Sequence, residues 1–445
     1  MGPGRMEEAR LLSPPMPGPA RAPSAHETAA AGGFTIAFCL EGQLRLDDQP
    51  ALHEAVALAR HQPGSRLVVL ATRPEGQRLR GPHQRRIGAQ GLASLRSRLT
   101  ALGIPLLSFP QQTTAAALDS IRPLLRPDRL FKAQQSRLFE AWPVAPERFP
   151  LVFSNFRRSL DRPPEAPLPP HDLSGLGWLA ADWPEAWPRE WLQSLDPDPV
   201  ADPLGDPYRD PQSDPRSAFP FRGDEPTALA RLQHFCGGSD GLRHYKAHRN
   251  GLVGTEFSSK LSPFLALGSL SVRRIWQVLL EYQAREGADE GSEWLKQELL
   301  WREFFLWSEQ RHGAAFHGAS GLQNRQPAWL ENRELFERWC HADGGHPLID
   351  AQLRELLASG YLSNRGRQWV ASHFINSLQL PWIWGARFFE WWLIDAEPAL
   401  NTGNWAYLAG VGSDPRSFGG SPRRFDLERQ VGLYDPEQTH RQRWS

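Results

Sequence analysis

Two short β-rich runs, FTIAFCL (34–40) and RLVVLAT (66–72), bracket PALHEAVALARH (50–61), whose apolar positions recur at helical spacing. A second amphipathic stretch, GLASLRSRLTALG (91–103), leads into the apolar run IPLLSF (104–109). Strands alternating with helices predict parallel βαβ units, hence an α/β domain with a Rossmann-like parallel sheet over 33–160. Neither a GxGxxG nor a GxxxxGK[ST] run accompanies these strands, so a glycine cradle for a nucleotide is not expected there.

The pattern then changes twice. From 161 to 225 Pro and Asp dominate, as in DPDPVADPLGDPYRDPQSDP, and this reads as a long linker. After it the helical period takes over almost throughout: EPTALARLQHF, SEWLKQELLWREFFLWSEQ, PLIDAQLRELLASG, RQWVASHFINSL, WGARFFEWWLI. An all-α domain is expected over 226–445. Residues 1–32, rich in Pro, Ala and Gly without a hydrophobic signal core, read as a disordered tail.

Composition narrows the function classes. A chain of 445 residues exceeds one core. Lys+Arg and Asp+Glu both number 50, so a nucleic-acid site would have to be a local patch rather than a global field. Only Lys132, Lys246, Lys260 and Lys296 are lysines; the remaining basic residues are Arg, whose rigid forks suit phosphate and carboxylate. Cys39, Cys236 and Cys340 lack metal spacing and suggest neither a disulfide framework nor a zinc site, which fits a reducing, cytoplasmic setting. No apolar run reaches membrane-spanning length. The compositional outlier is Trp, 18 in all, crowded into the second half.

Four stretches there carry candidate chemistry. TEFSSKLSPFLALGSLS (255–271) sets small hydroxyls and Lys260 ahead of Pro263, which suits either a phosphate cradle or an ordinary Ser-capped helix. ELLWREFFLW (298–307) places Glu298, Trp301, Arg302 and Phe305 at i, i+3, i+4 and i+7, one face of a helix. A carboxylate, an indole and a guanidinium on one face suit a planar heteroaromatic ligand; an amphipathic core helix is the plainer alternative. SNRGRQWVASHF (363–374) puts Asn364, Arg365 and Arg367 at a helix start, capped by Ser363 or Asn364, with Val370, Phe374 and Leu378 packing on a core. WIWGARFFEWWLIDAEPALNTGNWAYLAGVGSDPR (382–416) interleaves Asp395, Asn401 and Asn404 with aromatic rings, and a buried acid at 395 needs a cationic partner, with Arg367 the obvious candidate.

GYLSNRGRQWVASHF, LIDAEPALNTGNWAYLAGVGSDPR and YKAHRNGLVGTEFSSKLSPFLALG resemble the photolyase/cryptochrome family, and NRGRQ with GNWAYLAGVGSDPR resembles its DASH cryptochromes. The match is dense from about 240 to 426. The resemblance implies that the helical domain binds FAD in a folded conformation. Tyr245, Ser258, Ser259, Lys260, Leu261 and Ser262 match the segment around the FAD phosphates. Asp395, Ala396, Glu397 and Asn401 match the wall around the isoalloxazine and ribose, with Asn401 near N5. Arg367 and Asp395 match an ion pair beside the flavin, Asn364 faces inward with them, and Arg302 joins the cofactor-binding set. Trp405, Trp382 and Trp329 fall at electron-relay positions; indole is among the most easily oxidised side chains, so a row of rings can carry an electron from the surface to the flavin.

Glu298, Trp301 and Tyr407 match residues that receive a flipped pyrimidine dimer, with stacking on Trp301 and a hydrogen bond from a protonated Glu298 offsetting the cost of extrusion. Arg249 and Arg365 match phosphate-contacting positions. The implied activity is FAD-dependent, light-driven splitting of cyclobutane pyrimidine dimers, preferentially in single-stranded DNA, by a monomer without membrane attachment; the alternative is a blue-light photoreceptor with little or no repair. DASH members usually carry a 5,10-methenyltetrahydrofolate antenna. Position 397 is Glu where Asp is usual, Tyr407 stands where true photolyases carry Trp, and LEGQ replaces the usual FRRD.

Overall fold

The computed structural model describes residues 33–76, 80–178, 213–415 and 424–445. The tail expected at 1–32 and the middle of the expected linker, 179–212, lie outside the described residues.

Four parallel strands, β1 (Thr35–Cys39), β2 (Arg66–Arg73), β3 (Leu106–Thr113) and β4 (Arg129–Lys132), form one sheet in the order β3-β2-β1-β4. Helices α1 (Pro50–His61), α2 (Pro82–Thr100) and α3 (Thr114–Ile121) make the crossovers. Both faces of β1 and β2 are covered, which is why they read as continuous apolar runs rather than alternating ones. Proline at the first helical position starts both α1 and α2. Two details depart from the sequence expectation. Helix α2 begins at Pro82, nine positions before the expected 91. Strand β4, four residues of mostly exposed RLFK, has no hydrophobic pattern to announce it, and pairing with β1 in the register Ala37–Leu130 makes it a strand.

The remaining elements are helices: α4 (Phe153–Ser159), α5 (Glu225–Gln233), α6 (Tyr245–His248), α7 (Ser262–Leu267), α8 (Val272–Glu286), α9 (Glu290–His312), α10 (Arg333–Cys340), α11 (Pro347–Ser359), α12 (Asn364–Asn376), α13 (Trp382–Trp392), α14 (Pro398–Leu408), α15 (Leu427–Tyr434) and α16 (Thr439–Arg443). Side-chain caps set several starts: Asp224 for α5, Ser271 for α8, a reciprocal Asp289–Ser292 capping box for α9 and Ser363 for α12. The architecture is therefore a parallel-sheet α/β half followed by an all-α half.

The two halves share a continuous core running from Ile36 and Phe38 in β1 to Phe304, Phe305 and Ile394. The loop after β1, at the point where strand order reverses, docks on the helices. Its Asp48, fully buried, takes Arg273 at 2.7 Å; Asp47 takes Arg274 at 2.7 Å; Glu225 accepts the amides of Leu46 and Asp47 at 3.1 and 2.7 Å. Charges this deeply buried persist only when paired, so the sheet is locked to the helices in one orientation.

The glycine in SNRGRQ has a steric reason. A Cβ on Gly366 would stand 1.9 Å from Oε1 of Gln352, a fully buried side chain of α11, so the two helices cross at contact distance there. Val370 and Phe374 are buried as expected, but α12 stops at Asn376, so Leu378 lies beyond its end rather than on its face.

Candidate functional site

Helix α9 runs past a cavity of about 430 Å3 in the all-α half. Glu298, Trp301, Arg302 and Phe305 all line it, as their shared face requires. The opposite wall comes from the α13–α14 connection and from α14: Asp395, Ala396, Glu397, Asn401, Trp405 and Tyr407. The third side comes from Tyr245, Arg249, Asn364, Arg367 and the segment Ser258–Ser262. Every residue expected in the cofactor-binding set lines this one cavity. Three expected site residues, Arg365, Trp382 and Trp329, stand outside its lining.

The α14 wall is held from behind. Arg367 Nη2 lies 2.9 Å from each oxygen of Asp395, whose side chain is 3% exposed. The geometry serves Oδ2 only, and Oδ1 makes no hydrogen bond. A buried oxygen without a donor on a cavity wall fits a ligand that brings an N–H or O–H. Asn401 donates Nδ2–H to Ala386 O at 2.7 Å, which fixes its amide plane. Burial pushes the Glu397 carboxyl up to about 7, against the pull of Arg302, Arg80 and Arg137. Two side chains of the α/β half reach this wall: Gln84 Nε2 donates to Ala396 O at 2.8 Å, and Gln135 Nε2 to Glu397 Oε2 at 2.7 Å.

Lys260 is the unusual member of the Ser258–Ser262 segment. It is a non-glycine residue in the left-handed region, φ +60°, and it is 2% exposed. Its Nζ donates to Tyr361 Oη at 2.9 Å and sits 3.1 Å from the Phe257 ring centroid. Burial holds the ammonium well below the usual lysine range. A strained backbone carrying a buried amine onto a cavity wall suits an anionic ligand, whose charge would offset the burial that disfavours the ammonium.

At the other end, Arg249 pairs with Glu298, and Trp294 Nε1 donates to the same Glu298 oxygen at 2.9 Å. Glu298 accepts from both neighbours through the same oxygen, Oε1. Arg249 is thus tied to Glu298 and lies 4.8 Å from the Trp294 ring. Trp301 lies flat on Phe153, centroids 3.8 Å apart and planes 12° apart, with Tyr407 edge-on at 6.2 Å. Arg302 donates to Ser136 O at 2.9 Å.

Of the residues outside the lining, Arg365 is half-buried, bonded to Asn250 Oδ1 at 3.0 Å and Gln368 Oε1 at 3.1 Å, with the Tyr434 ring 5.1 Å away. Trp382 is 1% exposed and donates to Ala319 O at 3.0 Å. It belongs to the same apolar cluster as Trp405, with half-buried Trp329 packed against that cluster. Trp405 stands edge-on to Phe389 at 5.1 Å and Phe374 at 5.6 Å.

Sequence reasoning missed Trp294, Phe153, Gln135 and Tyr361. Trp294 was within reach, being four residues before Glu298 on the same helical face. Tyr361 sits three residues before Asn364, whereas Phe153 and Gln135 are brought in by distant segments that no local pattern marks.

Comparison with known proteins adds to this geometry. The family model described as the FAD binding domain of DNA photolyase matches residues 294–445, and that described as DNA photolyase matches 39–126. A cryptochrome DASH of Synechocystis is 44% identical over 229 residues, 52% of this chain and 46% of that protein. The chain thus matches about half the length of this and several similar relatives. A cryptochrome DASH of Gloeobacter violaceus is 31% identical across 92% of this chain and 85% of its own length. The crystal structure of a Synechocystis cryptochrome superposes with a TM-score of 0.73 at 29% identity, covering 94% of this chain and 89% of that one. A class III photolyase of Agrobacterium tumefaciens, 24% identical with a TM-score of 0.69 over 94% of this chain and 88% of its own, shares the fold.

Proposed function

Because this chain belongs to the cryptochrome DASH group of the photolyase/cryptochrome family, we propose that it binds FAD in the α9–α14 cavity and uses blue light to split cyclobutane pyrimidine dimers, preferentially in single-stranded DNA. The observation that carries this reading is the meeting of Glu298, Trp301, Asn401 and Tyr407 on one cavity with the Asp395–Arg367 pair. FAD, when bound, supplies the light absorption and the electron that opens the dimer.

The protein residues do the rest. Asp395, through its unpartnered Oδ1, Glu397 and Asn401, its amide plane fixed by Ala386, would hold the flavin ring. Lys260 and the hydroxyls of Ser258, Ser259 and Ser262 would hold its phosphates. Trp301 and Tyr407 supply the stacking surface for an extruded base, and Glu298 accepts a base N–H. A Tyr rather than a Trp at 407 stacks less strongly, which favours substrates already unpaired. Phe305, Leu400 and Trp405 keep the interior dry. Trp405, Trp382 and Trp329 provide an electron path from the half-exposed face. Between the halves, buried Asp48, Ser136, Ser271 and Arg273 are engaged with one another.

The test is repair itself. The FAD-loaded, reduced protein is illuminated with an oligonucleotide holding one thymine dimer, as a single strand and in a duplex. Light-dependent restoration of thymine in the single strand alone is the expected result. Bound, photoreducible FAD with no repair of either form would overturn the enzymatic reading in favour of a light receptor.

A further inference from the structure

Helix α4 belongs by sequence to the α/β half, yet it packs against α9, whose Trp301 lines the cavity. Phe153, its first residue, is 6% exposed and covers one face of Trp301 at 3.8 Å. Phe304 meets the edges of both rings, 5.9 Å from Phe153 and 5.8 Å from Trp301. Phe305, 5.5 Å away and tilted by 33°, and Tyr407, edge-on at 6.2 Å, also border the Trp301 indole, which still lines the cavity and remains half-buried. One turn along α4, exposed Arg157 donates Nη1–H to Gln297 Oε1 at 2.9 Å, and Gln297 lines the same cavity next to Glu298. A guanidinium with five N–H donors retains several after that bond.

We propose that α4 is part of the nucleic-acid site: Phe153 is a positioning residue that holds the Trp301 indole so that one base stacks on it from the cavity side, and Arg157, seated on Gln297, takes a backbone phosphate of the same strand. The proposal rests on the DNA-repair reading above. Simple core packing would explain Phe153 if Trp301 were fully buried, but the indole is only half-buried and borders the cavity. A ring already braced loses little freedom when a base arrives, which is how rigid stacking platforms gain affinity.

The test uses the full chain with FAD bound and two single strands, one with a thymine dimer and one without, titrated at several salt concentrations. Phe153→Ala should weaken binding of the dimer strand by about tenfold, change the undamaged strand little, and leave FAD content intact. Phe153→Tyr should restore the affinity. Should Phe153→Ala lose FAD, Phe153→Leu, which keeps most of the volume without the flat ring, is measured in its place with the same expected loss. Arg157→Gln should weaken both strands alike and reduce the log–log salt slope by roughly 0.7. Unchanged dimer affinity on losing the ring, or no rescue by Tyr, would overturn the role of Phe153, and an unchanged salt slope would overturn that of Arg157. If the wild-type protein itself shows no preference for the dimer strand, the repair reading fails and the role of α4 falls with it.

Discussion

Gln135, three residues beyond the last strand of the sheet, donates a 2.7 Å hydrogen bond to Glu397 on the cavity wall. The α/β half therefore touches a residue matched to the flavin environment through one side chain, and that residue is the acid with the upward-shifted carboxyl.

The shift has a pH consequence. Glu397 holds its proton up to about 7 in the folded chain, against an ordinary value of 4.5. The folded state thus binds the proton more tightly, so the contribution to stability is full below about pH 4.5 and is lost as pH rises through about 7. On this basis the FAD-free protein should lose roughly 3 kcal/mol from this group across that window. Glu397→Gln should flatten the profile by that amount in thermal melts at pH 5 and pH 8. A variant with the wild-type slope would show that another group sets it.

Arg367→Ala leaves the Asp395 carboxylate buried without its cation. The expected loss is about 3 kcal/mol of stability, the range seen when one partner of a buried pair is removed. FAD content should fall with it, since the orphan oxygen Oδ1 depends on the carboxylate's orientation. Denaturant melts and the flavin absorbance of the purified variant check both.

A Cβ at Gly385 would lie 2.3 Å from the Trp405 ring, and Trp405 is 2% exposed, so the indole would have to shift. Gly385→Ala should destabilise the fold by about 1–3 kcal/mol through overpacking. It should also slow light-driven FAD reduction, because the displaced indole is the proposed relay member lining the cavity. Retained stability with normal photoreduction would show that the α13–α14 crossing yields more than its geometry suggests.

Trp382→Phe preserves most of the packing in the cluster but removes the oxidisable indole. Most of the light-driven reduction of FAD should disappear while FAD content stays at the wild-type level. Illumination in the presence of an external electron donor, followed by absorbance, reads the difference. Normal photoreduction in this variant would mean the electron path bypasses Trp382.

Much of this molecule was legible along the chain. The alternation of β1, α1, β2 and β3 announced a parallel sheet, because strands covered on both faces are apolar throughout. The i, i+3, i+4, i+7 spacing placed Glu298, Trp301, Arg302 and Phe305 on one face, because helical geometry is local. The need of a buried acid for a cation pointed from Asp395 to Arg367. Only the tertiary structure decided the rest. Strand β4 exists because β1 offers it hydrogen bonds, Gly366 is required because Gln352 of another helix passes there, and Phe153, Gln84 and Gln135 touch cavity-lining residues from segments more than a hundred residues away in sequence. A sequence pattern records periodicity within an element. Which element's edge lands on which cavity is set by packing between elements, and that information is spread over residues that are individually unremarked.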